Sequence, residues 1–102
     1  MAGGWGKFGP MECVVIYSVR EGVDRATVMS VYPRHKAFYE AFRADGGGLT
    51  ALGPFQSPEA GLSSMGIFTS RSEAERFIAG DPFVTEGLAD PKLLEWNAVH
   101  LA

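Results

Sequence analysis

The chain has 102 residues, enough for one domain with one modest core. Its 9 Lys and Arg against 12 Asp and Glu give a net charge of −3 without a concentrated basic surface, which argues against nucleic-acid binding. No apolar run approaches the ~20 residues of a membrane helix, and no basic segment with an apolar core opens the chain as a signal peptide would.

Residues 1–10 are Gly-rich, carry Trp5 and Phe8, and show no periodicity. They are expected to form a flexible N-terminal arm, leaving 11–102 as the folded domain. Cys13 to Ser18 predicts a strand that is apolar on both faces, with Cys13, Val15 and Tyr17 on one and Val14 and Ile16 on the other. Such a strand is covered on both sides. Asp24 to Ala44 predicts a helix with Asp24 as its N-cap. Pro33 either kinks it or occupies the first turn of a second segment. An apolar stripe recurs at Tyr32, His35, Phe38, Tyr39 and Phe42, the helical period. Gly46 to Gly48 ends this helix.

Leu49 to Leu52 predicts a short strand broken by Gly53-Pro54. A loop covers 56–61, and a third strand runs from Leu62 to Thr69. Ser70-Arg71-Ser72-Glu73 fits a capping box opening a second helix, with Ala74, Phe77 and Ile78 on its buried stripe. Gly80 ends it, and Asp81 to Val84 turns toward a loop. Leu93 to Leu101 predicts the last strand.

The order β-α-β-β-α-β is the ferredoxin-like plan, an α+β fold with a four-stranded antiparallel sheet and two helices on one face. That plan leaves the other sheet face bare. A second copy of the chain is its simplest cover, so a homodimer through the open face is expected.

The candidate chemistry centres on His35 and Asp81. A packed histidine satisfied by a backbone carbonyl is the plain alternative for His35. For Asp81 it is ordinary turn chemistry, with the carboxylate bonding nearby amides. The functional reading has Asp81 accept a proton from one His35 nitrogen and leave the other for a substrate. If Pro33 opens a helix, His35 lies in the first turn, where the positive helix end disfavours imidazolium. Arg34 is a candidate for an anionic substrate group, although a solvated arginine is the plainer reading. Tyr17, Ser18, Pro54 and Phe55 are candidates for the pocket wall, with core packing the alternative for Tyr17 and Phe55. Ser70 is better explained as a cap than as a nucleophile, and Cys13 as an inert core thiol. The single cysteine has no internal partner, so a reducing cytoplasm is the simplest expected home. Two histidines and one cysteine without tight spacing make no zinc signature. Gly46-Gly47-Gly48 follows a helix and lacks the lysine of a phosphate loop. No metal or cofactor is therefore expected.

An ordered set of motifs adds to this reading. Arg34-His35-x-x-Phe38, Phe42, Gly46 and Leu52-Gly53-Pro54-Phe55 come first. Ser72-x-Ala74-x-x-Phe77, Asp81-Pro82-Phe83, Gly87-Leu88 and Trp96-Asn97-x-Val99 follow. Together they resemble the YCII-related (YciI-like) domain, from about Met11 to Val99. The Gly-rich arm and Pro33, two residues before the histidine, depart from the common pattern. The resemblance implies a ferredoxin-like dimer related to the dimeric α/β barrels, with His35 and Asp81 as an active-site pair. One branch of that family resembles a dehydrochlorinase of chlorinated hydroxyquinols. The expected function is thus a small cofactor-independent lyase or isomerase that moves a proton on a cyclic or aromatic molecule. Two rivals stand beside it: a non-catalytic dimeric ligand-binding module, and an accessory domain of a larger enzyme. The binding module predicts that His35 and Asp81 lie beyond hydrogen-bonding distance.

Overall fold

A computed structural model describes residues 11–56 and 62–101. The expected N-terminal arm and most of the 56–61 loop lie outside these residues. The described elements are β1 (Glu12–Val19), α1 (Arg25–Ala44), β2 (Leu49–Pro54), β3 (Leu62–Phe68), α2 (Arg71–Ile78), α3 (Pro82–Thr85) and β4 (Ala89–Trp96). The sheet order is β2-β3-β1-β4 and every pairing is antiparallel. This is the ferredoxin-like α+β arrangement that the element order predicts.

β1 is central and its alternation decides which face is covered. Cys13, Val15 and Tyr17 are buried, while Val14 and Ile16 between them are only half-buried. Successive strand side chains point to opposite faces, so the helices cover the Cys13 side. Phe68 of β3 lies opposite Cys13 and joins that face. Phe77 of α2 is the hub of the core, with ring centroids 5.0 Å from Phe38, 5.1 Å from Phe42 and 5.1 Å from Phe68. Aromatic contacts at these separations add favourable edge and offset geometry to area burial.

Cys13 has no exposed surface, and burial pushes its thiol proton affinity up. The folded state therefore holds the neutral thiol. The stability tied to this group is intact below the unfolded thiol's pKa and is eroded as the pH rises from there toward the folded value. Because the thiolate is the nucleophile, iodoacetamide is expected to leave Cys13 unmodified in the native protein and to alkylate it readily in denaturant. Rapid native labelling would show that β1 opens.

Several boundaries differ from expectation. α1 is one continuous helix from its Asp24 cap, with Pro33 inside it, so the proline neither opens a new segment nor ends the old one. Its buried stripe includes Val31, His35 and Phe42, while Tyr32 is not buried with them and is 41% exposed. β2 continues through Gly53 and Pro54, and β4 begins at Ala89 and includes Pro91. Both are edge strands, where a proline's missing N–H can face away from the ladder. β4 ends at Trp96, well before the expected Leu101. Residues 82–85, read from sequence as a turn, form the short helix α3.

The capping box at Ser70 is half formed. Ser70 Oγ accepts the Glu73 N–H at 3.2 Å, but the Glu73 side chain does not reach back. It accepts instead from the Gly48 N–H at 2.8 Å and from Arg76 at 2.9 Å, and these bonds hold its carboxyl below the usual range. Glu73 thus pins the α1–β2 turn to α2. At the head of that turn Gly46 has φ +86°, a left-handed conformation that glycine adopts without a Cβ clash.

Candidate functional site

His35 is the eleventh residue of α1 and faces the α3 side of the core. Asp81 is the N-cap of α3, two residues beyond the C-cap of α2. Its backbone N–H bonds the Phe77 carbonyl at 3.0 Å, which fixes the turn between α2 and α3. Its Oδ1 accepts the Phe83 N–H at 3.1 Å, the local bond expected of a residue preceding a helix. The same oxygen stands 2.8 Å from His35 Nδ1. The bond to a nearby amide and the bond to His35 considered for Asp81 therefore share one carboxylate oxygen.

That carboxylate is fully buried, and His35 is 7% exposed. An ionised oxygen accepts, so Nδ1 must carry the proton in the neutral ring and Nε2 keeps the lone pair. Nε2 has no hydrogen-bond partner among the described residues. Phe83 stacks on the imidazole at 4.2 Å and 21°, and Tyr39 meets it edge-on at 5.4 Å. These rings pack against the imidazole from two sides. The helix dipole does not act on it, because its effect fades within the first turn and α1 starts ten residues before His35. The first-turn position expected from Pro33 is thus corrected.

Fixing the tautomer is a testable task for Asp81. In wild type at mildly alkaline pH, long-range proton–nitrogen spectra should show His35 protonated on Nδ1 only. In Asp81→Asn the amide can donate as well as accept, so both tautomers should appear. A single unchanged tautomer in the variant would show that the ring is set by its aromatic neighbours instead.

Tyr17 completes this corner from β1. Its ring lines the cavity, but its Oη is buried and points toward Asp81. Burial, and then the neighbouring Asp81 charge, push the phenol's proton affinity far up, so Tyr17 is neutral. Tyr17 Oη and Asp81 Oδ2 both lack a hydrogen-bond partner among the described residues.

A cavity of about 670 Å³ opens beside His35, between α1 and the ends of β1, β2 and β3. Tyr17, Pro54 and Phe55, named from sequence as wall residues, all line it. Ser18 and Arg34 do not. Ser18 follows Tyr17 on the strand, so its side chain points to the opposite sheet face. Arg34 forms an exposed two-toothed ion pair with Glu86, one bond measuring 2.9 Å, and this pair lowers the Glu86 carboxyl. Its position ties α1 to the end of α3 and commits the guanidinium to a neighbour.

Several wall residues were not singled out from sequence: Val28 and Met29 on α1, Ser63 on β3, and Leu88 before β4. The i, i+3, i+4 continuation of the His35 stripe toward the helix start could have pointed to Val28 and Met29. Nothing in the local sequence marks Ser63, and Leu88 was read only as part of the Gly87-Leu88 motif, not as a wall residue. Tyr32 and Tyr39, seen as part of the stripe, also face the cavity, and a hydrogen bond with Tyr32 raises the Tyr39 phenol. Among the described residues no group of three or more His, Cys, Asp or Glu could hold a metal ion, and no helix is long and apolar enough to cross a membrane.

Fold and site together define a ferredoxin-like α+β domain with a buried His–Asp pair at the wall of an aromatic-lined cavity. No protein-family model and no curated protein matches the chain. Solved structures share its fold. The 5-chloro-2-hydroxyhydroquinone dehydrochlorinase TftG from Burkholderia phenoliruptrix, in complex with 2,5-dihydroxybenzoquinone, is 23% identical. It aligns with TM-score 0.65 over 84% of this chain and 93% of its own. SnoaB, a cofactor-independent oxygenase from Streptomyces nogalater, is 17% identical, with TM-score 0.54 over 91% of this chain and 97% of its own. A dimeric protein of unknown function and ferredoxin-like fold from Bacteroides fragilis is 16% identical, with TM-score 0.57 over 89% and 99%. At these identities the likeness extends to the fold.

Proposed function

We propose that this protein is a small cofactor-independent enzyme of the YciI-like type, moving a proton on a cyclic or aromatic molecule with His35 as base and Asp81 as its orienting partner. The observation that carries it is the 2.8 Å bond between His35 Nδ1 and a carboxylate without solvent exposure, at the wall of a ligand-sized cavity. A ligand-binding module has no need of a buried histidine–carboxylate pair, and the rival reading expected the two groups apart. The similarity to TftG, and the resemblance of the motifs to the YCII-related domain, favour a lyase or isomerase.

The chemistry follows from the lone pair on Nε2. It takes a proton from a substrate O–H or C–H. The electron pair left behind moves into the ring, either to an adjacent carbonyl or to expel a halide. The imidazolium formed sits against Asp81, whose charge offsets it. Returning the proton to a different carbon is isomerisation. Releasing it to solvent as the halide leaves is elimination of HX.

A homodimer through the open sheet face is part of the proposal. Leu94 and Trp96 are 43% and 42% exposed there, beside half-buried Val14 and Ile67. Paired register puts Val14, Ile67 and Leu94 side by side on that face. A contiguous apolar surface of this kind marks an interface.

The test is a chloride-release assay with 5-chloro-2-hydroxyhydroquinone, run beside deuterium uptake from solvent into hydroxylated quinones, for wild type and His35→Gln. Release or uptake that depends on His35 is expected. Activity independent of His35, or none with either class, would overturn the proposal.

A further inference from the structure

The cavity is longer than a one-ring molecule at His35 would fill. The α1 wall includes Arg25, Met29, Tyr32, His35 and Tyr39, one residue per helical turn. The fourteen steps from Arg25 to Tyr39 span ~21 Å of helix at ~1.5 Å per residue. His35 stands near one end of that wall, so most of the cavity runs away from it toward the start of α1. Its volume of about 670 Å³ agrees. Even allowing each non-hydrogen atom the ~30 Å³ that a water molecule takes in liquid, a one-ring hydroxyquinone would fill less than half. A site that binds well leaves little such space, because an unfilled apolar void forgoes contacts on both its surfaces.

The walls also select shape. Tyr32, Tyr39, Phe55 and Phe83 present rings to the cavity, and Met29 and Leu52 fill between them. Aromatic walls favour flat rings, which gain face and edge contacts that a flexible chain does not. Met29 is half-exposed at 53%, although it faces a binding-sized cavity, as expected where a ligand would cover it.

We propose that the natural ligand is a fused polycyclic phenol or hydroxyquinone of two to four rings. Its hydroxyl lies at His35 Nε2 and its distal rings run along α1 past Met29. This deepens the proton-transfer reading and rests on it only for the placement of the hydroxyl.

The test is a calorimetric binding series of hydroquinone, naphthohydroquinone and quinizarin, each as its sulfonate for solubility, with a hydroxydodecyl sulfonate as the flexible control. Affinity should rise about tenfold or more from one ring to three, as added apolar area is buried. Met29→Trp, a change at a half-exposed position, should weaken three-ring binding about tenfold and spare one-ring binding. No gain with ring number, tighter binding of the flexible chain, or three-ring binding untouched by Met29→Trp would overturn the proposal. His35 ring resonances, followed in the same titrations, separate the two readings. If the ring series behaves as expected while His35 stays unmoved, the ligand class stands and the proton-transfer role falls. If His35 responds equally to every ligand while affinity ignores ring number, the ligand class falls and the base remains.

Discussion

Turnover by His35→Gln is expected to fall roughly 10²–10⁴-fold while the melting temperature moves by only a few degrees. The size is that of a positioned general base, whose removal leaves binding and orientation in place. Glutamine is the informative replacement. It fills much of the imidazole's volume against Phe83 and Tyr39, and its amide N–H can still donate to Asp81 Oδ1. No buried carboxylate is then left without its donor, which would otherwise be strongly destabilising. What glutamine lacks is a basic lone pair at the Nε2 position. Steady-state rates on whichever quinone proves active, beside thermal melts of both proteins, decide the matter. A loss of activity accompanied by an equal loss of folded protein would instead make His35 a packing residue.

Phe77→Ala is expected to remove about 3–5 kcal/mol of stability. Phe77 is 1% exposed and joins Phe38, Phe42 and Phe68 between α2, α1 and β3. Three ring contacts converge on it, two from α1 and one from β3, so no single neighbour can collapse into the space it leaves. Small domains have only about 5–15 kcal/mol in total. The melting temperature should therefore drop by roughly 15–30 °C. The same ring lies 6.4 Å from His35, and the Phe77 carbonyl holds the Asp81 N–H. Loss of Phe77 should loosen the His–Asp pair before it unfolds the chain. A melting temperature within a few degrees of wild type would show that the core repacks, contrary to the geometry.

Much of the fold was legible because it rests on local chemistry. Asp24 and Ser70 cap their helices as side-chain acceptors do anywhere. The alternation in β1 sorted its residues into two faces, and the structure decided which of the two the helices cover. The order of elements then left the ferredoxin-like plan as the economical arrangement. Errors clustered where a local rule met a non-local partner. Pro54 and Pro91 look like strand breakers until the sheet order places both strands at edges. Glu73 looks like the second half of a capping box until Gly48, twenty-five residues away, offers it an N–H. Arg34, whose plainer reading was a solvated arginine, has a partner in Glu86 that lies fifty-two residues on and outside any local window.

The same division runs through the site. Residue type and spacing by themselves determined that His35 shares a helix stripe with aromatic residues and that Asp81 stands in a turn where its carboxylate can bond nearby amides. Both follow from a 3.6-residue period and from the bonding habits of a short carboxylate side chain. Only the tertiary structure decided that these two residues, forty-six positions apart, are joined by one buried 2.8 Å bond. Only it decided that Tyr17 turns its hydroxyl toward the same carboxylate, and that the space beside them extends along α1. Distances between elements depend on how ridges, turns and edges pack together. No local window of the chain contains that information.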